Sequence, residues 1–328
     1  MEKIKVNLSY NTYNLLIHDM ESFAFDMKDN IPNRNLFYNI LCKEMYNIKK
    51  KESEELRERL SNILQNNLNN YNIINDILND IEDVYNYKNE DKTNRSHGYY
   101  ISFRPQKALL NMYEEIENLE LRNSTISNYY RNMFNSYAKL PQDERERIIF
   151  KEELDIIESA IRNNKTILIN NNSNKIELIP YKVVRTSDEL YNYLIAGIRK
   201  KDNSIKYFSL HLYKCRNAIK TKNIYSLSND EINKFEELLE YGPRNIERRC
   251  VVTKIKLSKK GISLFKKFYL NRPIPEDIDN DIYTFNASTD ELLTYFSRFG
   301  VHALVLEPEN FKNQMINFHK RAYNHYTN

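Results

Sequence analysis

One order of elements occurs twice before residue 141. Residues 3–9, KIKVNLS, alternate strictly, with Ile4, Val6 and Leu8 on one face of a strand and Lys3, Lys5 and Asn7 on the other. A helical pattern follows from about Asn11 to Asp26. The turn KDNIPN comes next, then a second helix, NRNLFYNILCKEMYNI, capped by Asn33 and carrying Leu36, Ile40 and Leu41 on one side. Later, YYISFR (99–104) reads as a strand, QKALLNMYEEIENLE as a helix, RNSTIS as a turn, and NYYRNMFNSYAKL as a helix with Thr125 or Ser127 at its cap. A strand followed by two helices cannot bury its apolar face alone. The two copies, 3–50 and 99–140, read as an internal repeat of a unit that needs a partner of its own kind.

Between the copies, Leu56, Leu60, Ile63, Leu64, Ile74, Ile77, Leu78 and Ile81 recur at helical spacing. Residues 52–95 hold 5 cations and 10 anions, a net of −5, so that face should avoid phosphate. Beyond the second copy, DERERIIFKEELDIIESAIRNN reads as one helix with Ile149, Leu154, Ile157 and Ile161 toward a core. Strands follow near 166–170, 175–184, 191–198 and 206–216, separated by Asn/Ser/Asp turns, and suggest a small barrel. SNDEINKFEELLEY closes that region as a helix and GPRNIERR (242–249) reads as a linker. The remainder alternates strand and helix: CVVTKIKLS, KKGISLFKKFY, DIYTFNA, TDELLTYFSRF, VHALVLE and a terminal helix, with Ser288 and Glu291 as a capping box and Gly300 at a helix end. The fold class is α+β in three parts: a helical region at 1–142, a barrel with its leading helix at 143–242, and a small α+β domain at 243–328.

Charge is distributed unevenly over this plan. Residues 162–222 carry 13 Lys or Arg against 4 Asp or Glu, a net of +9 in a chain whose total is +4. A basic strand-rich segment studded with Tyr, Phe and His can neutralise phosphates and stack bases at once. The candidates for that face are Arg185, Tyr193, Arg199, Tyr207, His211, Lys214 and Arg216, with Tyr193 or Tyr207 as the stacking ring. Alternation through 206–216 puts Phe208, Leu210, Leu212, Lys214 and Arg216 on one face, which places the two cations at a barrel mouth.

Several chemistries are excluded or left without support. The 5 glycines are too far apart for a phosphate-binding loop or a dinucleotide fingerprint. The 3 cysteines show neither metal spacing nor a disulfide framework, which points to a reducing compartment. No apolar leader or membrane-length run is present, so a cytoplasmic protein without a membrane partner is expected. PEDIDND (275–281) reads as a solvated loop, and His319 and His325 are poorly spaced for joint ligation. No nucleophile–base motif appears. The expectation is a non-enzymatic protein with no cofactor and no metal.

The middle segment resembles the WYL domain, a small SH3-like barrel of bacterial regulators, through LIPYKVV (178–184), YNYLIAG (191–197) and HLYKC (211–215), and VHALVLEPENF resembles the extension that commonly follows it. The likeness departs where Asn192 takes the first position of the name-giving triplet, and where His211 and Lys214 stand for two arginines. The doubled strand–helix–helix unit resembles the ribbon-helix-helix fold, which implies that two such units pair, here within one chain, with their strands as an antiparallel ribbon and Lys3, Lys5 and Asn7, with Ser102 and Arg104 from the second copy, as the candidates for a DNA groove. Together with YAKLPQDERERIIF, the arrangement resembles the accessory proteins encoded beside type VI-D CRISPR systems. That resemblance implies single-stranded RNA as ligand, an RNA-guided CRISPR nuclease as partner, and a homodimer, although pairing of the repeats would permit a monomer. Elsewhere WYL proteins are transcription regulators, which implies the alternative: DNA binding by the ribbon and effector sensing by the barrel.

Overall fold

Alternation over the first strand survives folding. In the computed structural model, which describes residues 2–26, 31–65, 73–74, 76–78, 80, 99–121, 125–171, 174–185, 190–240 and 250–327, β1 (Ile4–Leu8) buries Ile4, Val6 and Leu8 and exposes Lys5 and Asn7. It pairs antiparallel with β2 (Tyr99–Phe103), Ile4 opposite Phe103 and Leu8 opposite Tyr99. These residues group into two compact units, Met1–Glu152 and Glu153–Asn328.

In the first unit, each strand of the ribbon is followed by helices. After β1 come α1 (Tyr10–Ser22), capped by Ser9 Oγ accepting from Thr12 N at 3.1 Å, and α2 (Arg34–Gln65), where Asn33 Oδ1 accepts from Leu36 N at 3.1 Å. After β2 come α3 (Leu110–Glu115), a π-helical turn over Ile116–Glu120, and α4 (Ile126–Lys139), capped by Thr125. The face of α2 differs from the sequence expectation. Phe37, Tyr38, Leu41 and Cys42 are buried, while Leu36 and Ile40 are only half-buried. Aromatic volume decides this, because the core is built on ring contacts such as Phe25–Phe37 at 5.2 Å and Tyr38–Phe103 at 5.8 Å. Further along, Leu56, Leu60 and Leu64 are half-buried and Ile63 is exposed, Ile74 and Leu78 are buried, and Ile81 lies outside the described residues.

Asn39 fixes the exit of β2. Its Nδ2 donates to Asn35 O at 2.8 Å and Arg104 O at 2.9 Å, and its Oδ1 accepts from Gln106 N at 2.9 Å and the Tyr113 hydroxyl at 3.0 Å. All four hydrogen-bonding positions of the amide are used in a site with no solvent access. Asn39→Leu removes a partner from the Gln106 N–H, the Arg104 carbonyl and the buried Tyr113 hydroxyl. The expected loss is about 3 kcal/mol of unfolding free energy by urea titration, and a loss under about 1 kcal/mol would show that water replaces the amide.

The helix expected over 143–164 is two helices, α5 (Gln142–Ile149) and α6 (Lys151–Arg162), broken at Phe150 (φ −107°, ψ 31°). The break has a packing reason. Phe150 is 1 % exposed and meets Phe23 at 5.9 Å and Phe25 at 6.2 Å. Arg145 of α5 binds the Asp19 carboxylate of α1 in the same unit.

The second unit holds two antiparallel sheets. The first comprises β3 (Lys165–Asn171), β4 (Asn174–Val184), β5 (Tyr193–Arg199), β6 (Ile205–His211) and β7 (Ile219–Ile224), in the order β6-β5-β4-β3-β7. A bulge between Pro180 and Lys182 lets β4 serve both halves. α7 (Asn229–Glu240) lays Phe235 onto Tyr181, Tyr207 and the bare backbone of Gly197, where a Cβ would stand 3.3 Å from the ring. The second sheet comprises β8 (Cys250–Leu257), β9 (Asp277–Asp279), β10 (Ile282–Ser288) and β11 (Ala303–Glu307), in the order β11-β8-β10-β9. Its core gathers Phe265 of α8 (Lys259–Lys267), Tyr295 and Phe296 of α9 (Thr289–Phe296), and Phe311 and Met315 of α10 (Glu309–Thr327). Ser288 Oγ caps α9 by accepting from Glu291 N at 3.2 Å, and Gly300 sits at φ 55°. The acidic run at 275–281 is exposed from Glu276 to Asn280, but Asp277–Asp279 within it form edge strand β9, which Asn280 at φ 55° turns back onto β10. The expected linker, 242–249, lies outside the described residues.

Candidate nucleic-acid interface

Strand register and the turn that follows β6 bring five of the sequence candidates to one end of the five-stranded sheet. Val184, Tyr193 and His211 form a single rung across β4, β5 and β6. Arg185 follows Val184 directly and is exposed. After His211 the chain enters a 3₁₀ turn, Leu212–Cys215, which carries an exposed Lys214 and leads to a half-buried Arg216. The turn is tied back by Leu212 N donating to Asn192 O at 2.8 Å.

Aromatic rings surround the histidine. His211 lies 4.4 Å from the Tyr193 ring, 5.0 Å from Tyr213 with the planes 25° apart, and 5.1 Å from the edge of Tyr191. Tyr193 is only 3 % exposed, so its ring belongs to the core and supports His211 from below. The accessible rings of the cluster are those of Tyr191 and Tyr213, both half-buried and neither singled out from sequence. Their signal was present in YNY and HLY, where each stands two residues from a candidate.

The alternation expected to run through Phe208, Leu210, Leu212, Lys214 and Arg216 stops short of the two cations. A period of two holds only to His211; in the 3₁₀ turn the period is three, and Leu212 and Cys215 are both buried while Lys214 points to solvent.

Arg199 and Tyr207 belong to the other end of the sheet. In β5, Arg199 stands six residues from Tyr193, which is roughly 20 Å along a strand. Its guanidinium donates to Glu231 Oε1 at 2.9 Å, Asn203 O at 3.0 Å and Ser226 O at 3.1 Å. Glu231 is held below the usual carboxylate range, first by the Ser228 backbone N–H and then by Arg199. Tyr207 packs edge-on against Phe235 at 4.7 Å, and burial pushes its hydroxyl pKa up. Arg199 also lines a polar cleft of about 720 Å³ with Thr166, Glu177, Asn223, Tyr225 and Glu231. There Glu177 accepts from Thr166 Oγ1 and, at 2.7 Å, from Asn223 Nδ2.

The 13 cations of residues 162–222 are accordingly spread over several places. Lys200 and Lys201 flank the β5–β6 turn, Lys175 opens β4, and Lys220 and Lys222 lie on edge strand β7, where Lys220 Nζ donates to Ser159 Oγ at 2.8 Å. Arg185, Lys214 and Arg216 are the ones that adjoin the aromatic rung.

In the first unit, Lys3, Lys5 and Asn7 are exposed on the outer face of the ribbon, and Arg104 is exposed just past the end of β2 with its backbone held by Asn35 and Asn39. Ser102, opposite Lys5, is half-buried. Tyr100, opposite Asn7, is 64 % exposed and was not among the sequence candidates.

No family model and no curated protein sequence matches the chain. The crystal structure of a CRISPR Cas-related protein superposes with a TM-score of 0.74 at 20 % identity, covering 99 % of this chain and 94 % of that one. The two share a fold over essentially their full lengths. Proteasome accessory factor B/C of Arthrobacter aurescens aligns at a TM-score of 0.24 and 14 % identity over 63 % of this chain and 33 % of that one, which is too low to indicate a common architecture. Among the described residues, no helix is long and apolar enough to cross a membrane.

Proposed function

We propose that the chain is a non-enzymatic nucleic-acid-binding protein that takes single-stranded RNA at the aromatic, cationic end of the five-stranded sheet and serves as an accessory to an RNA-guided CRISPR nuclease. In this reading the sheet is the SH3-like barrel of a WYL domain and the paired strand–helix–helix units are a fused ribbon-helix-helix pair. The observation that carries it is the Val184–Tyr193–His211 rung, where His211 stacks on Tyr213 and from which the chain runs on into Arg185 and into Lys214 and Arg216. Lys and Arg there would contact phosphates, while Tyr213 and Tyr191 offer faces to unpaired bases. The full-length fold likeness to a CRISPR Cas-related protein supports the cellular setting.

A second reading is favoured by one feature, the antiparallel ribbon with Lys3, Lys5 and Asn7 outward: a transcription regulator that reads duplex DNA. Electrophoretic mobility shifts with single-stranded RNA, duplex RNA and duplex DNA separate the two. Preference for single-stranded RNA is the expected result. Tight duplex DNA binding that vanishes when Lys3 and Lys5 become Ala would establish the second reading instead.

A further inference from the structure

We infer that the end of the β1–β2 ribbon is a base-stacking platform for single-stranded nucleic acid, separate from the sheet site and independent of it. Three tyrosines are exposed there: Tyr10 at 56 %, Tyr99 at 39 % and Tyr100 at 64 %. Tyr99 closes the ribbon opposite Leu8 and meets Tyr10 at 5.1 Å and Tyr13 at 5.5 Å, both rings coming from the first turn of α1. Tyr100 projects to the opposite, outer face beside Asn7, on the side that carries Lys3 and Lys5. Rings thus stand on opposite faces of the last two rungs of the ribbon, Leu8–Tyr99 and Asn7–Tyr100, and Lys3 and Lys5 share the outer face with Tyr100.

The electrostatic surroundings suit a polyanion. β1, β2, the first turn of α1 and the whole of α4 contain no Asp or Glu, while Lys5, Arg131 and Lys139 lie within them; Glu2 stands just before β1. Arg131 Nε donates to Asn7 O at 2.8 Å, which fixes the strand whose side chains face outward. Unpaired bases rather than a duplex are the matching ligand. A ribbon that enters a major groove reads base edges with polar side chains on its outer face, whereas Tyr100 places a ring there. Flat π-faces on exposed tyrosines next to lysines are what sequence-tolerant binding of single strands uses.

The test uses the full chain and a fluorescein-labelled oligouridylate containing thiouridine. Photocrosslinks are expected on peptides spanning 3–10 and 99–104. Tyr100→Ala and Tyr10→Ala are each expected to weaken binding roughly tenfold, with unchanged thermal melts, and Tyr100→Phe to retain it. Crosslinks confined to 185–216, with wild-type affinity in Tyr100→Ala, overturn the platform and leave the sheet reading standing. Ribbon crosslinks that persist in an Arg185→Ala, Lys214→Ala, Arg216→Ala variant while sheet crosslinks are absent in the wild type do the reverse. Loss of a self-associated species in Tyr100→Ala by sedimentation, with RNA binding intact, assigns the rings to a second copy of the chain and overturns the inference.

Discussion

Asp19→Ala is expected to lower the unfolding free energy by about 3–5 kcal/mol, the range for breaking a buried ion pair from one side. The Asp19 side chain has no solvent access and that of Arg145 is 8 % exposed. Arg145 Nε and Nη2 reach the two carboxylate oxygens at 2.7 and 2.9 Å, and the Tyr137 hydroxyl adds a third donor at 2.8 Å. Arg145 Nη1 also donates to Leu140 O at 2.6 Å. Burial and then the Asp19 charge push the Tyr137 hydroxyl far above its ordinary pKa, so it stays a donor at any physiological pH. Removing the carboxylate leaves a guanidinium in a dry site with one of its partners gone. The cost spreads beyond one contact, because Asp19 lies on α1, Tyr137 on α4 and Arg145 on α5, so the network joins the two halves of the doubled unit. Asp19→Asn keeps the shape and one acceptor and should cost less; replacing both partners by Leu and Met should recover part of the loss. A urea titration reads all three. A loss below about 1 kcal/mol in Asp19→Ala would mean that the site admits water.

Phe235→Ala should cost the second unit about 3–5 kcal/mol. The ring is fully buried, stacked on Tyr181 at 4.3 Å with planes 5° apart and met edge-on by Tyr207 at 4.7 Å. It is the apolar anchor of α7, whose polar side is tied through Glu231 to Arg199 and through Glu236 to the Tyr181 hydroxyl. Burial, and after it Glu236, pushes the Tyr181 pKa up to about 12. Phe235→Leu keeps most of the volume and loses the stacking, so a smaller loss of about 1.5 kcal/mol is expected. Thermal unfolding followed at the tyrosine bands distinguishes the two. Equal losses would show that the ring contacts alone, and not volume, set the cost at this position.

Periodicity carried most of the elements and missed those where tertiary contacts override it. β1 reads directly from KIKVNLS because one face is core and the other solvent. β7, IKTKNI, was missed because it is an edge strand exposed along almost its whole length, with no buried face to leave a pattern. The break at Phe150 leaves no mark in composition, since a helix is interrupted there to seat one ring against Phe23 and Phe25. On α2 the register of the core face was set by Phe37 and Tyr38, which a count of aliphatic residues overlooks.

The candidate site was legible where residues follow one another across a rung, as Tyr193 and His211 do, and opaque where they follow one another along a strand. Tyr193 and Arg199 share β5 yet occupy opposite ends of it. For the same reason a charge sum over residues 162–222 overstates any local field, because antiparallel strands carry successive cations to opposite ends and faces. What remains after the register is applied is smaller and better defined: Arg185, Lys214 and Arg216 around a histidine held between tyrosine rings.

The salt dependence of single-stranded RNA binding tests that remainder directly. Each phosphate neutralised on a single strand contributes about 0.7 to the slope of log affinity against log salt. Replacing Arg185, Lys214 and Arg216 together by Ala should lower the slope by about 2 and weaken binding at every salt concentration. An unchanged slope in the triple variant, with the protein folded, would contradict the assignment of the nucleic-acid interface to this end of the sheet.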